Sequence, residues 1–119
     1  FVVTEESQVH ENYKERILKA KDIDTQVTGR TTGPPVRALR NQMTREYLKK
    51  EAAGASFEEL ELMTLGGLRK AVVEGDVTTG SVMAGQSAGM VKEKMTCAQL
   101  IQKLNNEAEY LLKGTKIHE

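Results

Sequence analysis

Residues 80–91 read GSVMAGQSAGMV, twelve residues with three glycines, two alanines, two serines and no charge, in a chain of which 29% is charged. Glycine and alanine let a backbone approach its surroundings closely, and those surroundings are either packed protein or a flat ligand. This constrains the fold more than any other feature, because the rest of the chain must supply a wall for the segment to lie against or leave it open to something else. If Ala84–Val91 is helical, Ala84, Ala88 and Val91 make a small face for tight helix packing. Ser81, Gln86 and Ser87 then offer polar groups to a ligand at the helix start. Composition leaves both uses open.

The flanking sequence is organised mainly for helices. In HENYKERILKAKD, Tyr13, Ile17 and Leu18 recur at one-turn spacing, which predicts an amphipathic helix from about Glu11 to Lys21 with His10 at its cap. IDTQVTG sets Ile23, Thr25 and Val27 against Asp24, Gln26 and Thr28, the period-two pattern of a short half-buried strand closed by Gly29. After Gly33-Pro34-Pro35, the residues Val36, Leu39, Met43 and Tyr47 fall at helical spacing, predicting a helix from about Pro35 to Ala53 that Gly54 ends. Arg37, Arg40, Arg45, Lys49 and Lys50 would give that helix a basic side, either facing phosphate or simply solvated among Glu46 and Glu51.

Ser56-Phe57-Glu58-Glu59 has the S-x-x-E form of a capping box. Leu60, Met63, Leu65, Leu68 and Val72 then give an apolar stripe interrupted by Gly66-Gly67, predicting two short helices at roughly 57–63 and 66–74. Gly75-Asp76 opens a loop into the small-residue segment. Thr96-Cys97-Ala98-Gln99 is a second capping box, and Leu100, Ile101, Leu104, Ala108, Leu111 and Leu112 carry a long helix to Gly114.

A chain of 119 residues with 39% hydrophobic content supports one core. Seventeen basic residues balance seventeen acidic ones, so no global field draws in nucleic acid or an anionic membrane, and three tyrosines and two phenylalanines leave little for base stacking. Cys97 is the single cysteine, which excludes an internal disulfide and a cysteine-cluster metal site and fits a reducing cytosol; it reads as a buried thiol. His10 sits where a cap would be and the only other histidine, His118, lies in the tail, so His10 reads as a surface or capping residue rather than a metal ligand, and no apolar run approaches the length of a membrane span. No catalytic dyad, GxxxxGK[ST] or GxGxxG accompanies the small-residue stretch. The opening FVVTEES, without Met and with an apolar β-branched start, looks like the end of a buried strand cut from something longer.

Several stretches together are familiar. FVVTEES, HENYKERILKAKD, DTQVTG, GPPVRAL and above all LRKAVVEGDVTTGSVMAGQSAG resemble, in order and spacing, the C-terminal part of the enoyl-ACP reductase II and nitronate monooxygenase (2-nitropropane dioxygenase-like) flavoenzymes. The resemblance runs from Phe1 to about Met90, and EGD followed by GS-x-MAGQ-x-AG is its most specific part. It implies a mostly α fragment with a short β element (α+β), comprising the lid and final helices of an FMN-binding TIM-barrel enzyme. Residues 1–3 would end a late barrel strand, 4–75 would form the lid on the substrate side, and 76–119 would return to the barrel and close with the last helix.

The resemblance also implies FMN as cofactor, with Met83, Ala84, Gly85, Gln86 and Ser87 on the flavin side, and NAD(P)H as a possible co-substrate. The reaction would be enoyl thioester reduction or nitronate oxidation, on a small-molecule or acyl-carrier-protein substrate, in the cytoplasm. The family's catalytic histidine and its phosphate-holding G-T-R turn lie upstream of Phe1, so no catalytic residue is assigned here. Gly33-Pro34-Pro35 stands where the family commonly has Gly-His-Pro. The alternative expectation is a stand-alone helical interaction module without catalysis, self-associating through the Ala84–Val91 face and the last helix.

Overall fold

The computed structural model describes residues 1–114. Along them run α1 (Glu11–Leu18), β1 (Thr25–Thr28), β2 (Val36–Leu39), α2 (Gln42–Ala52), α3 (Phe57–Thr64), α4 (Gly67–Val72), a 3-10 turn (Gln86–Met90) and α5 (Cys97–Gly114). Helices dominate, with one two-stranded sheet among the described residues. Two compact units divide the chain, one spanning Val9–Glu93 and the other made of Phe1–Gln8 with the chain from Lys94 onward.

In the larger unit, His10 caps α1: its Nδ1 accepts the Asn12 N–H at 3.0 Å. The helix stops at Leu18 rather than near Lys21 because a competing turn takes over. The Asp24 carboxylate accepts the Lys21 N–H at 2.8 Å while the Asp24 N–H returns to the Lys21 carbonyl at 3.0 Å. That turn also removes Ile23 from the expected strand, leaving it 74% exposed, and β1 begins two residues later.

The expected helix from Pro35 is the main correction. Val36–Leu39 instead forms β2, antiparallel to β1 with Thr25 opposite Leu39 and Thr28 opposite Val36. Spacing misled because Val36 and Leu39 fit a helical stripe as well as a strand whose inner end, Ala38 and Leu39, is fully covered. The helix start lies at Asn41. Its side chain accepts the Thr44 N–H at 3.0 Å, and Thr44 Oγ1 accepts the Asn41 N–H at 2.9 Å, a reciprocal cap. The proposed basic side is therefore split. Arg37 lies on β2 and donates to Thr25 Oγ1 at 3.0 Å, Arg40 lies in the turn, and Arg45, Lys49 and Lys50 ride on α2.

Met43 and Tyr47 of α2 pack on Leu60 of α3, with Ala55 and Met63 at the edge, to form one core cluster of this unit. Ser56 caps α3 through the Glu59 N–H at 3.3 Å. Between α3 and α4, Gly66 takes φ +72°, a left-handed conformation that breaks the stripe at the expected glycine pair.

In the smaller unit, α5 has the predicted start and the predicted box: Gln99 accepts the Thr96 N–H at 3.0 Å and Thr96 accepts the Gln99 N–H at 3.1 Å. The Glu6 carboxylate also caps it, accepting the Cys97 N–H at 3.0 and 2.9 Å, and its charge suits the positive end of the helix dipole. Cys97 is half-buried rather than buried, its Sγ 3.5 Å from Thr4 Oγ1. The apolar stripe of α5 forms as the periodicity requires, yet no residue of the helix is buried. Phe1–Val3 have no strand partner among the described residues; Thr4 N–H and Oγ1 both return to the Phe1 carbonyl, closing a turn. His118 lies outside the described residues.

Candidate functional site

The small-residue segment begins on a fixed loop. The Asp76 carboxylate accepts the N–H groups of Thr78 at 3.1 Å and Thr79 at 2.9 Å, and the Thr79 hydroxyl as well. These bonds, Thr79's first, together with the nearby Lys70 charge, hold the Asp76 carboxyl below its ordinary value. From the other side the Asn41 amide donates to the carbonyls of Val77 at 2.9 Å and Gly80 at 2.8 Å. One buried asparagine thus caps α2 and pins both ends of the loop that delivers the segment.

From Ser81 the chain runs along the free edge of β2. Leu39 N–H donates to Val82 O at 2.8 Å, Ala84 N–H to Arg37 O at 3.4 Å, and Met83 stands opposite Ala38. The conditional helix over Ala84–Val91 does not form as such: Ala84 lies outside it, and only Gln86–Met90 curls, into a 3-10 turn. Tyr13, 4% exposed, reaches from α1 to donate its hydroxyl to Met83 O at 2.6 Å. Burial pushes this phenol above its ordinary value, which keeps the proton the bond requires.

The three glycines of the segment have different surroundings. A Cβ on Gly80 would collide with Asp76 O and lie 2.9 Å from Ala71 N, and one on Gly89 would lie 2.8 Å from both Asp22 N and Lys21 C. The chain's own backbone demands these two. A Cβ on Gly85 would meet nothing within 4 Å, and its φ of −79° suits any residue. Packing thus explains Gly80, Gly89 and the buried Ala88, but not Gly85.

The five expected site residues are consecutive and follow the bridge to β2. Met83, Gly85, Gln86 and Ser87 are exposed, and Ala84 is half-buried. Val82, with no exposed surface, anchors the edge from below. The donor set suits FMN: an amide, a hydroxyl and backbone N–H groups beside a position with no side chain match a flat ring with carbonyl edges. Among the described residues no group of three or more His, Cys, Asp and Glu side chains is placed to hold a metal ion, and His10 is occupied as a cap. No helix among them is long and apolar enough to cross a membrane. Sequence reasoning missed Tyr13, Asn41 and Asp76 as the groups that fix this edge. Asn41 and Thr44 carried a readable capping signal, whereas nothing in the sequence pairs Tyr13 with Met83.

The model of the nitronate monooxygenase family matches residues 1–107. The chain belongs to the nitronate monooxygenase family. A probable nitronate monooxygenase of Bacillus subtilis (strain 168) is 26% identical over 107 residues, 90% of this chain and 31% of that protein. The solved structure of FabK from Thermotoga maritima superposes with a TM-score of 0.83 at 42% identity, covering 95% of this chain and 37% of that one. A nitroalkane oxidase from Streptomyces ansochromogenes superposes with a TM-score of 0.62 at 25% identity, covering 93% and 32%. The chain spans about a third of the length of these relatives. The family match takes in the whole Met83–Ser87 edge and ends within α5.

Proposed function

We propose that this chain is the C-terminal part of an FMN-dependent oxidoreductase of the nitronate monooxygenase family, reducing an enoyl thioester with NAD(P)H or oxidising a nitronate. Residues from about 4 to 75 serve as its substrate-side lid, and 76–119 return to an FMN-binding barrel contributed by sequence beyond this chain. The substrate is a small molecule or an acyl-carrier-protein thioester, and the protein works in the cytoplasm. FMN, when bound, supplies the electron transfer.

The chain's own residues bind and position. Met83, Ala84, Gly85, Gln86 and Ser87 form the edge that faces the flavin, and Gly85 lets the ring approach the backbone. Tyr13 holds the Met83 carbonyl in place from behind, while Asn41 and Asp76 keep the preceding loop from shifting the edge. The observation that carries the reading is the contrast between Gly85 and its two neighbouring glycines, since of the three only Gly85 has no part of the chain within 4 Å of an added Cβ. Titrating the purified chain with FMN and following flavin fluorescence tests it. Saturable binding weakened by Gln86→Ala and Ser87→Ala is expected, and saturable binding that both substitutions leave unchanged counts against it.

The exposed stripe of α5 favours a second reading, a module that pairs with a copy of itself. About Asn106 the stripe is symmetric: Leu100 mirrors Leu112, Ile101 mirrors Leu111, and Leu104 mirrors Ala108. An antiparallel pair would also set Lys103 against Glu109 of the second copy. Sedimentation that stays strictly monomeric at high concentration sinks this reading.

A further inference from the structure

Gln86 and Ser87 stand exposed on the single 3-10 turn that follows Met83, within the unit of Val9–Glu93. The turn's own bonds are local: Ala88 N–H donates to Gly85 O and Val91 N–H to Ala88 O, each at 3.1 Å. A 3-10 turn has poorer hydrogen-bond geometry than an α-helix and rarely runs long. Where its two polar side chains stand therefore depends on what ties the turn to the rest of the unit.

The tie lies at the far end of α1. Lys92 Nζ donates to Ala20 O at 3.2 Å, and Ala20 has no exposed surface. Because α1 ends at Leu18, this carbonyl sits just past the C-terminal end of the helix, where the macrodipole favours a cation, and the bond is charge-assisted. Between Met83 and Lys92 the chain also touches down at Ala88, which is buried, and at Gly89, which packs on the backbone of Lys21 and Asp22. The receiving turn is itself held, since the Asp24 carboxylate accepts the Lys21 N–H at 2.8 Å and the Asp24 N–H returns to Lys21 O at 3.0 Å. Helix α1 thus grips the segment from both of its ends, through Tyr13 on Met83 O and through Lys92 on Ala20 O, with Gln86 and Ser87 in between.

Resting on the reading of Met83–Ser87 as the flavin-facing edge, we propose that Lys92 is a positioning residue for that edge. Its ammonium latches the 3-10 turn to the end of α1 and so sets where Gln86 and Ser87 meet the ligand. Asn41 and Asp76 fix the chain before the edge, and Lys92 fixes it after.

The test is hydrogen exchange of the full chain, read by mass spectrometry over a peptide covering 84–93. Lys92→Met keeps the side-chain stem and removes the donors, and Lys92→Arg restores a cationic donor. Exchange of the Ala88 and Val91 amides should quicken about tenfold in Lys92→Met, the effect of losing a hydrogen bond to a charged group. Amides of α2 should exchange as before, and Lys92→Arg should stay near the unsubstituted rate. Unchanged exchange in Lys92→Met, equal quickening in α2, or Lys92→Arg as fast as Lys92→Met overturns the proposal. FMN titrated into the same samples should bind more weakly in Lys92→Met and recover in Lys92→Arg. Faster exchange with FMN affinity equal in all three proteins keeps the latch and removes the flavin reading of Gln86 and Ser87. Weaker FMN binding in Lys92→Met without faster exchange removes the latch.

Discussion

Gly80, Gly85 and Gly89 lie within ten residues of one another, and the structure predicts opposite outcomes when alanine replaces them. At Gly89 the new Cβ would sit 2.8 Å from two backbone atoms of the turn at Lys21 and Asp22. Backbone cannot swing aside as a flexible side chain can, so the turn or the 3-10 segment must shift. Overpacking of this kind costs about 1–3 kcal/mol, and for a domain of this size each kcal/mol moves the melting temperature by roughly 4 °C. Gly89→Ala should therefore melt about 4–12 °C lower, and Gly80→Ala, blocked by Ala71 N and Asp76 O, should behave alike. At Gly85 the methyl enters open space at a φ alanine adopts freely, so the substitution restricts only the unfolded chain. It should be neutral or stabilise by up to about 1 kcal/mol. Thermal melts of the three variants, followed by circular dichroism, decide the matter. Equal destabilisation at Gly85 and Gly89 would refute the claim that packing within the chain explains one and not the other.

Further outcomes follow from the groups that fix the edge. Asn41→Ala removes the α2 cap and leaves the Val77 and Gly80 carbonyls without their donor, so it should cost about 2–4 kcal/mol in denaturant unfolding. Tyr13 has a raised phenol value in the fold, so the unfolded chain ionises first. Its contribution should be whole below the ordinary value of 10.0 and be lost as pH rises beyond it, and Tyr13→Phe should remove that alkaline component from the pH–melting profile. Asp76 has the opposite sign: its folded value is depressed, so its contribution is present above the ordinary 3.8 and is lost as pH falls toward the lower folded value. Asp76→Asn should flatten the acid limb of the same profile.

Much of the fold was readable because local signals and final structure agree. Ser56 and the Thr96–Gln99 box cap helices where they stand, and Gly66 breaks the stripe between α3 and α4. Reading failed where two periods overlapped. Val36 and Leu39 satisfy a helical spacing, and that spacing does not register their pairing across a turn with Thr28 and Thr25 of β1. The stripe of α5 was read correctly as a helix, but periodicity shows only that an apolar face exists, not that anything described here covers it. The site edge was legible as a run of small residues, Met83 to Ser87. What fixes it was not, because Tyr13 and Met83 are 70 positions apart and Asn41 and Gly80 are 39 apart. The grip of Lys92 on Ala20 was invisible for the same reason, the two being 72 positions apart.

The central claim is that Gly85 is kept small for a flavin. The most direct measurement is the FMN affinity of Gly85→Val beside that of the unsubstituted chain, with melting curves on the same samples. The account predicts unchanged melting and at least a tenfold loss of FMN affinity. FMN binding equal in the two proteins, at equal stability, would contradict it.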